Sequence, residues 1–125
     1  MTILVDHNIE GQALRLWGEL SEEGWLELLP LRLMGFRDVG LPEDSNDREI
    51  WRYAQAHRCL LFTNNRKMLD PDSLEQTIRD ENTSTSLPVL TVGNADRLTE
   101  RVYREECMLR LLEIAIYLDD YLGVG

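Results

Sequence analysis

Three short apolar runs in this sequence are each followed by polar side chains, several of which can coordinate a cation. After Ile3-Leu4-Val5 come Asp6, His7 and Asn8; after Cys59-Leu60-Leu61-Phe62 come Thr63, Asn64 and Asn65; after Pro88-Val89-Leu90-Thr91-Val92 come Gly93 and Asn94. Asp47 and Glu49 open a helical pattern between the first two runs. Carboxylate and amide oxygens are hard ligands, suited to magnesium or manganese. Each residue also has a plain structural use. Asp6 reads as a turn or N-cap residue, Asp47 and Glu49 as carboxylates favoured by the positive end of a helix dipole, and Asn64 and Asn65 as turn formers. Histidine exchanges protons near neutral pH, which makes His7 a candidate acid or base, although a lone histidine is more often structural. His57 closes a helical pattern and complements its C-terminal dipole.

The elements that must position these groups alternate. The three apolar runs are short and end in polar or turn residues, as buried strands do, and a weaker fourth strand is expected within residues 31–39, where Gly35 and Gly40 blur the register. A helix should start near Ile9 and carry Ala13, Leu14, Trp17 and Leu20, with Gly24 as its break or cap. A second should start at Ser45 or Asn46, with Asn46 and Glu49 as a capping pair and Ile50, Trp51 and Ala54 as the apolar stripe. A third should follow Pro71, capped by Asp72 or Ser73. The longest pattern covers residues 96–122, with Leu98, Val102, Leu109, Leu112, Ile116 and Leu118 among its apolar positions. It exceeds the usual helix of about 8–20 residues, so a break or bend is expected. Residues 80–86 read as a surface connection. Alternating strands and helices predict one α/β domain with a mainly parallel sheet covered on both faces. In such a sheet ligands bind beyond the carboxyl ends of the strands, where the polar triplets fall.

The succession Ile3-Leu4-Val5-Asp6-His7-Asn8, Asp47-Arg48-Glu49-Ile50 and Leu60-Leu61-Phe62-Thr63-Asn64-Asn65 resembles the PIN-like family of ribonuclease toxins, over residues 1–70. The resemblance implies a three-layer α/β/α sandwich, an acidic cluster holding Mg²⁺ or Mn²⁺, and cleavage of RNA. It extends to the toxin half of a toxin–antitoxin pair with a small antitoxin protein as partner. Carried over by motif, Asp6, Asp47 and Asn65 are the catalytic and metal-binding candidates, and Asp70 is a further carboxylate that could reach back from the next loop. Asn8, Thr63, Asn64 and Arg66 are the substrate-binding candidates around them. The family usually writes Thr-Asn-Asp with a further acidic residue and an aromatic close behind; this chain reads Thr63-Asn64-Asn65-Arg66-Lys67-Met68. An amide in place of a carboxylate removes a full negative charge from a divalent-metal site, so the alternative is a catalytically weakened PIN-like module that binds a protein partner. A receiver-like reading shares the alternating pattern but wants paired acids after the first strand, where this chain has Asp6 followed by His7.

Composition narrows the classes. With 125 residues, 43% of them hydrophobic and 29% charged, the chain suits one globular domain. The start Met1-Thr2-Ile3-Leu4-Val5-Asp6 carries no secretory leader, and no apolar run approaches the ~20 residues that cross a bilayer, so a cytoplasmic protein is expected. Cys59 and Cys107 belong to no Cys-x-x-Cys pair, which argues against zinc and against a disulfide framework. The net charge of −10 opposes broad polyanion binding, so contact with RNA must be local or metal-mediated. Trp17, Trp25 and Trp51 fall on helices and are expected to pack rather than to stack on bases.

Overall fold

Four parallel strands form the middle of the molecule, in the order β2-β1-β3-β4. A computed structural model describes residues 1–64 and 71–125. The strands are β1 (Thr2–Val5), β2 (Arg32–Met34), β3 (Cys59–Thr63) and β4 (Val89–Thr91). β1 pairs with β3 in the register Ile3 to Leu60, Leu4 to Leu61 and Val5 to Phe62, so the two most apolar runs lie side by side at the centre. All five residues of β3 are buried, as a strand covered on both faces requires.

Successive side chains on a strand point to opposite faces, and the core divides accordingly. Ile3, Val5, Leu60, Phe62 and Leu90 pack with Ala13, Leu16 and Leu20 of helix α1 (Glu10–Glu22) and with Met108, Leu111 and Leu112 of helix α6 (Arg101–Ile116). Leu4, Leu61 and Val89 pack on the other side with Phe36, with Ile50, Trp51 and Ala54 of helix α4 (Asp47–Ala56), and with Leu74 of helix α5 (Leu74–Glu81). The expected α/β architecture with an all-parallel sheet is therefore present. Among the described residues no helix is long and apolar enough to cross a membrane.

Local chemistry explains most element boundaries. Asn46 caps α4 by accepting from the Glu49 N–H at 2.9 Å, and Ser73 caps α5 through the Gln76 N–H at 3.3 Å. α1 ends where Gly24 takes a φ of +80°, and a short helix α2 (Trp25–Leu28) follows. The weaker fourth strand is real but stops at Met34. Phe36–Val39 instead form a short helix α3, because the Asp38 carboxylate accepts from the Gly35 N–H at 2.8 Å and turns the chain there. The 96–122 pattern breaks into a 3₁₀ turn at Ala95–Thr99, α6, and a second 3₁₀ turn at Leu118–Tyr121.

Four apolar assignments change. Leu14 is exposed, and Leu16 takes its place in the core of α1; Val102, Leu109 and Ile116 lie on the outside of α6. Residues 80–86 are not all connection, since Asp80 and Glu81 complete α5 and Ser86 is buried. Trp51 is buried, and Trp17 and Trp25 pack against the core, in keeping with a packing role. Cys59 is buried and Cys107 half-buried, both as free thiols, and burial raises the pKa of each.

Candidate active site

Asp6 follows the last residue of β1. Its own N–H donates to the Phe62 carbonyl at 2.8 Å, which carries the β1–β3 ladder one residue beyond the strand. This bond fixes the carboxylate beside the end of β3. Asp6 Oδ2 accepts from the Thr63 hydroxyl at 2.8 Å, and Oδ1 accepts from the Asn8 N–H at 3.1 Å. The structural reading of Asp6 as a cap is correct, since Oδ1 closes the 3₁₀ turn His7–Ile9 that leads into α1. The other oxygen turns toward Thr63. Both residues are buried, Asp6 at 8% and Thr63 at 2% exposure. Burying an acid this far requires hydrogen-bond partners, and two are present.

The location follows from topology. The chain leaves β1 toward β2 through α1 on one face, and leaves β3 toward β4 through α5 on the other. Neighbouring strands whose connections depart in opposite directions open a crevice at their carboxyl ends, the usual ligand site of an open parallel sheet. Asp6 and Thr63 lie at the carboxyl ends of the two strands that flank this position.

Asp47 is the first residue of α4. Helix α4 leads through two residues into the start of β3 and packs against the sheet, so its first turn lies at the carboxyl ends of the strands. Asp47 thus shares that end of the sheet with Asp6. It is half-buried, and its Oδ2 accepts from the Leu74 N–H at 3.1 Å, at the first turn of α5. Asn8 and Asn64 are exposed at the same end. Asn65, Arg66 and Asp70 lie outside the described residues.

Two features here were not legible in the sequence. His7 sits between two carboxylates, with Nδ1 3.9 Å from Glu10 and Nε2 3.7 Å from Glu43, on the rim of a cleft of about 290 Å³ that also includes Gly35, Arg37 and Asp38. Only the i, i+3 spacing of His7 and Glu10 hinted at this. Arg48 binds α4 to both ends of α5: it donates to the Pro71 carbonyl at 2.6 Å, Asp72 at 3.1 Å, Asp80 at 2.9 Å and Glu81 at 2.5 Å. Its partners are 23 to 33 residues away, beyond the reach of local pattern.

The Arg48 clamp carries a pH prediction. Hydrogen bonding from Arg48 holds the Asp80 carboxyl below its ordinary pKa, and Arg52 first and Arg48 second do the same for Glu81. A carboxyl lowered in the folded state contributes stability above its unfolded pKa, and that contribution is lost as pH falls through the folded value. Wild-type stability is therefore expected to drop as pH falls below about 4, and Arg48→Met to flatten that drop. Urea midpoints across acid pH measure it. Parallel curves for the two proteins would show that the clamp does not act on these carboxyls.

Among the described residues, the grouping of three acidic side chains close enough to hold one ion is Glu19, Glu23 and Glu105. It joins the far end of α1 to α6, a helix length of about 20 Å from the start of α1 beside Asp6. Glu19 is already taken by Arg104 at 3.2 Å.

Fold and site together define an α/β protein with a four-stranded parallel sheet and a buried aspartate at the carboxyl ends of its two central strands. Comparison with protein-family models, with curated proteins and with solved structures gave no match.

Proposed function

We propose that this chain is a PIN-like, metal-dependent endoribonuclease with a three-layer α/β/α sandwich fold, acting in the cytoplasm as the toxin half of a toxin–antitoxin pair. The observation that carries the reading is Asp6, a buried carboxylate oriented by the Thr63 hydroxyl at the carboxyl ends of two central parallel strands. The donors at that end, the Asp6 and Asp47 carboxylates with the Thr63 hydroxyl and the Asn8 and Asn64 amides, are all hard oxygen donors and match Mg²⁺ or Mn²⁺ in kind. Asp6 and Asp47 would hold the ion, joined by Asn65 from the sequence motif and by Asp70 reaching back from the next loop. When bound, such an ion activates water and offsets the charge that develops on a phosphodiester. The protein's own part is positional: Thr63 fixes the direction of the Asp6 oxygen, the Leu74 N–H fixes Asp47, and exposed Asn8 and Asn64 face RNA, with Arg66 added as a cation beside the site in sequence.

Two observations favour a second reading, a noncatalytic PIN-like module. Both Asp6 oxygens and Asp47 Oδ2 already accept hydrogen bonds, and the chain carries a charge of −10. Asn65→Asp separates the two. Restoring a carboxylate is expected to tighten Mn²⁺ binding about tenfold, because site affinity tracks ligand charge, and to raise cleavage of a fluorescent RNA. Calorimetric titration and the cleavage assay measure both. If neither protein binds metal saturably or cuts RNA above background, the module reading replaces the nuclease.

A further inference from the structure

Helix α6 carries apolar side chains on opposite faces. Met108, Leu111 and Leu112 are buried against the core, yet Val102, Leu109 and Ile116 are 70%, 59% and 51% exposed. These three positions recur at every seventh residue. A straight helix drifts only about 20° per heptad, so they form one stripe along the side facing away from the sheet. Scattered single apolar residues are normal on a surface; a heptad-spaced stripe is the pattern that seats a second helix.

The borders of the stripe are acidic. Glu106 and Glu113 lie on one flank and Glu105 on the other, where it meets Glu19 and Glu23 with one oxygen of each within 4.8 Å of the others. Arg101 and Arg110 answer part of this charge inside the helix, at 3.0 Å from Glu105 and 3.2 Å from Glu113. A surplus remains, on a chain of net charge −10.

We infer that the exposed stripe of α6 docks a cationic amphipathic helix from another protein, whose apolar face covers Val102, Leu109 and Ile116 while its lysines or arginines meet Glu105, Glu106 and Glu113. The charge pattern selects this occupant over the others. Antiparallel pairing of two copies centred on Leu109 brings like flanks together and sets Glu106 of one beside Glu113 of the other, and parallel pairing brings unlike flanks together and sets Glu105 beside Glu106. Anionic lipid and nucleic acid are repelled by the same carboxylates. The inference concerns α6 alone and holds whether or not Asp6 takes part in cleavage.

The probe is a synthetic three-heptad peptide with leucine and isoleucine on one face and lysine on both flanks, followed by fluorescence anisotropy beside a copy with glutamate for lysine. The lysine peptide is expected to bind saturably, and the glutamate peptide not to bind. Leu109→Gln should weaken binding about tenfold, the scale of one apolar side chain's burial. Glu105→Gln with Glu106→Gln should weaken it and reduce its salt dependence. Leu28→Gln, at a site 74% exposed on α2, should leave it unchanged. All these side chains are at least partly exposed, and melting curves check that each variant folds. The inference is overturned if the lysine peptide does not bind, if Leu109→Gln has no effect, or if the glutamate peptide binds equally well. It is also overturned if sedimentation shows a native dimer that Leu109→Gln dissolves, since the occupant is then a second copy.

Discussion

Asp6→Asn is expected to lower metal-dependent RNA cleavage by about a hundredfold or more while leaving folding stability within about 1 kcal/mol of wild type. Asparagine keeps the shape of aspartate and one carbonyl oxygen, so it can still close the turn by accepting from the Asn8 N–H. Its amide group can donate to Thr63 Oγ1, where the carboxylate had accepted. What it cannot replace is charge on an oxygen at the carboxyl ends of the two central strands. Asp6→Ala loses the oxygen that closes the turn as well as the side-chain contact with Thr63, at a cost of about 1–3 kcal/mol. Cleavage rates with Mn²⁺ and urea midpoints on wild type and both variants make the comparison. Unchanged cleavage by Asp6→Asn would place the chemistry elsewhere. An equally large loss of stability in both variants would make Asp6 a structural residue only.

Phe36→Ala should produce the largest loss of stability, about 3–5 kcal/mol. Phe36 is 2% exposed and is the one buried residue of α3. Its ring packs with Leu4, Ile50 and Trp51 in the core on the α4 side of the sheet and lies 6.4 Å from His7. Truncation leaves a cavity and removes what anchors α3 to the sheet. A typical domain has only about 5–15 kcal/mol in total, so this one ring carries a large share. The cleft rim of Gly35, Arg37 and Asp38 should loosen with it. Urea unfolding of Phe36→Ala against Phe36→Leu measures the effect. A difference below about 1 kcal/mol between wild type and Phe36→Ala would show that α3 is held by its polar contacts instead.

Much of the fold was legible because it rests on local signals. The three strong strands, the Asn46 cap, the Ser73 cap and the break in the last helical pattern are each set by a few consecutive residues. The errors fell where two local signals compete. Leu14 and Leu16 both fit an apolar face of α1, and only the position of the sheet selects Leu16. After Met34 a strand pattern runs into Gly35, and the Asp38 carboxylate decides for a helix by taking the Gly35 N–H.

For the candidate site, sequence determined the kind of group and the end of the sheet. An aspartate straight after a buried parallel strand has to emerge at the carboxyl edge, and a helix leading into the next strand has to begin there. Tertiary structure decided which atoms meet: the Asp6–Thr63 bond joins residues 57 apart, and Arg48 joins α4 to acids on α5. It also decided that three apolar residues of α6, Val102, Leu109 and Ile116, face outward. Strand and helix periods are properties of consecutive residues, read from the chain alone. Partners across a fold depend on how whole elements pack, and many sequences share the local pattern while differing in that packing.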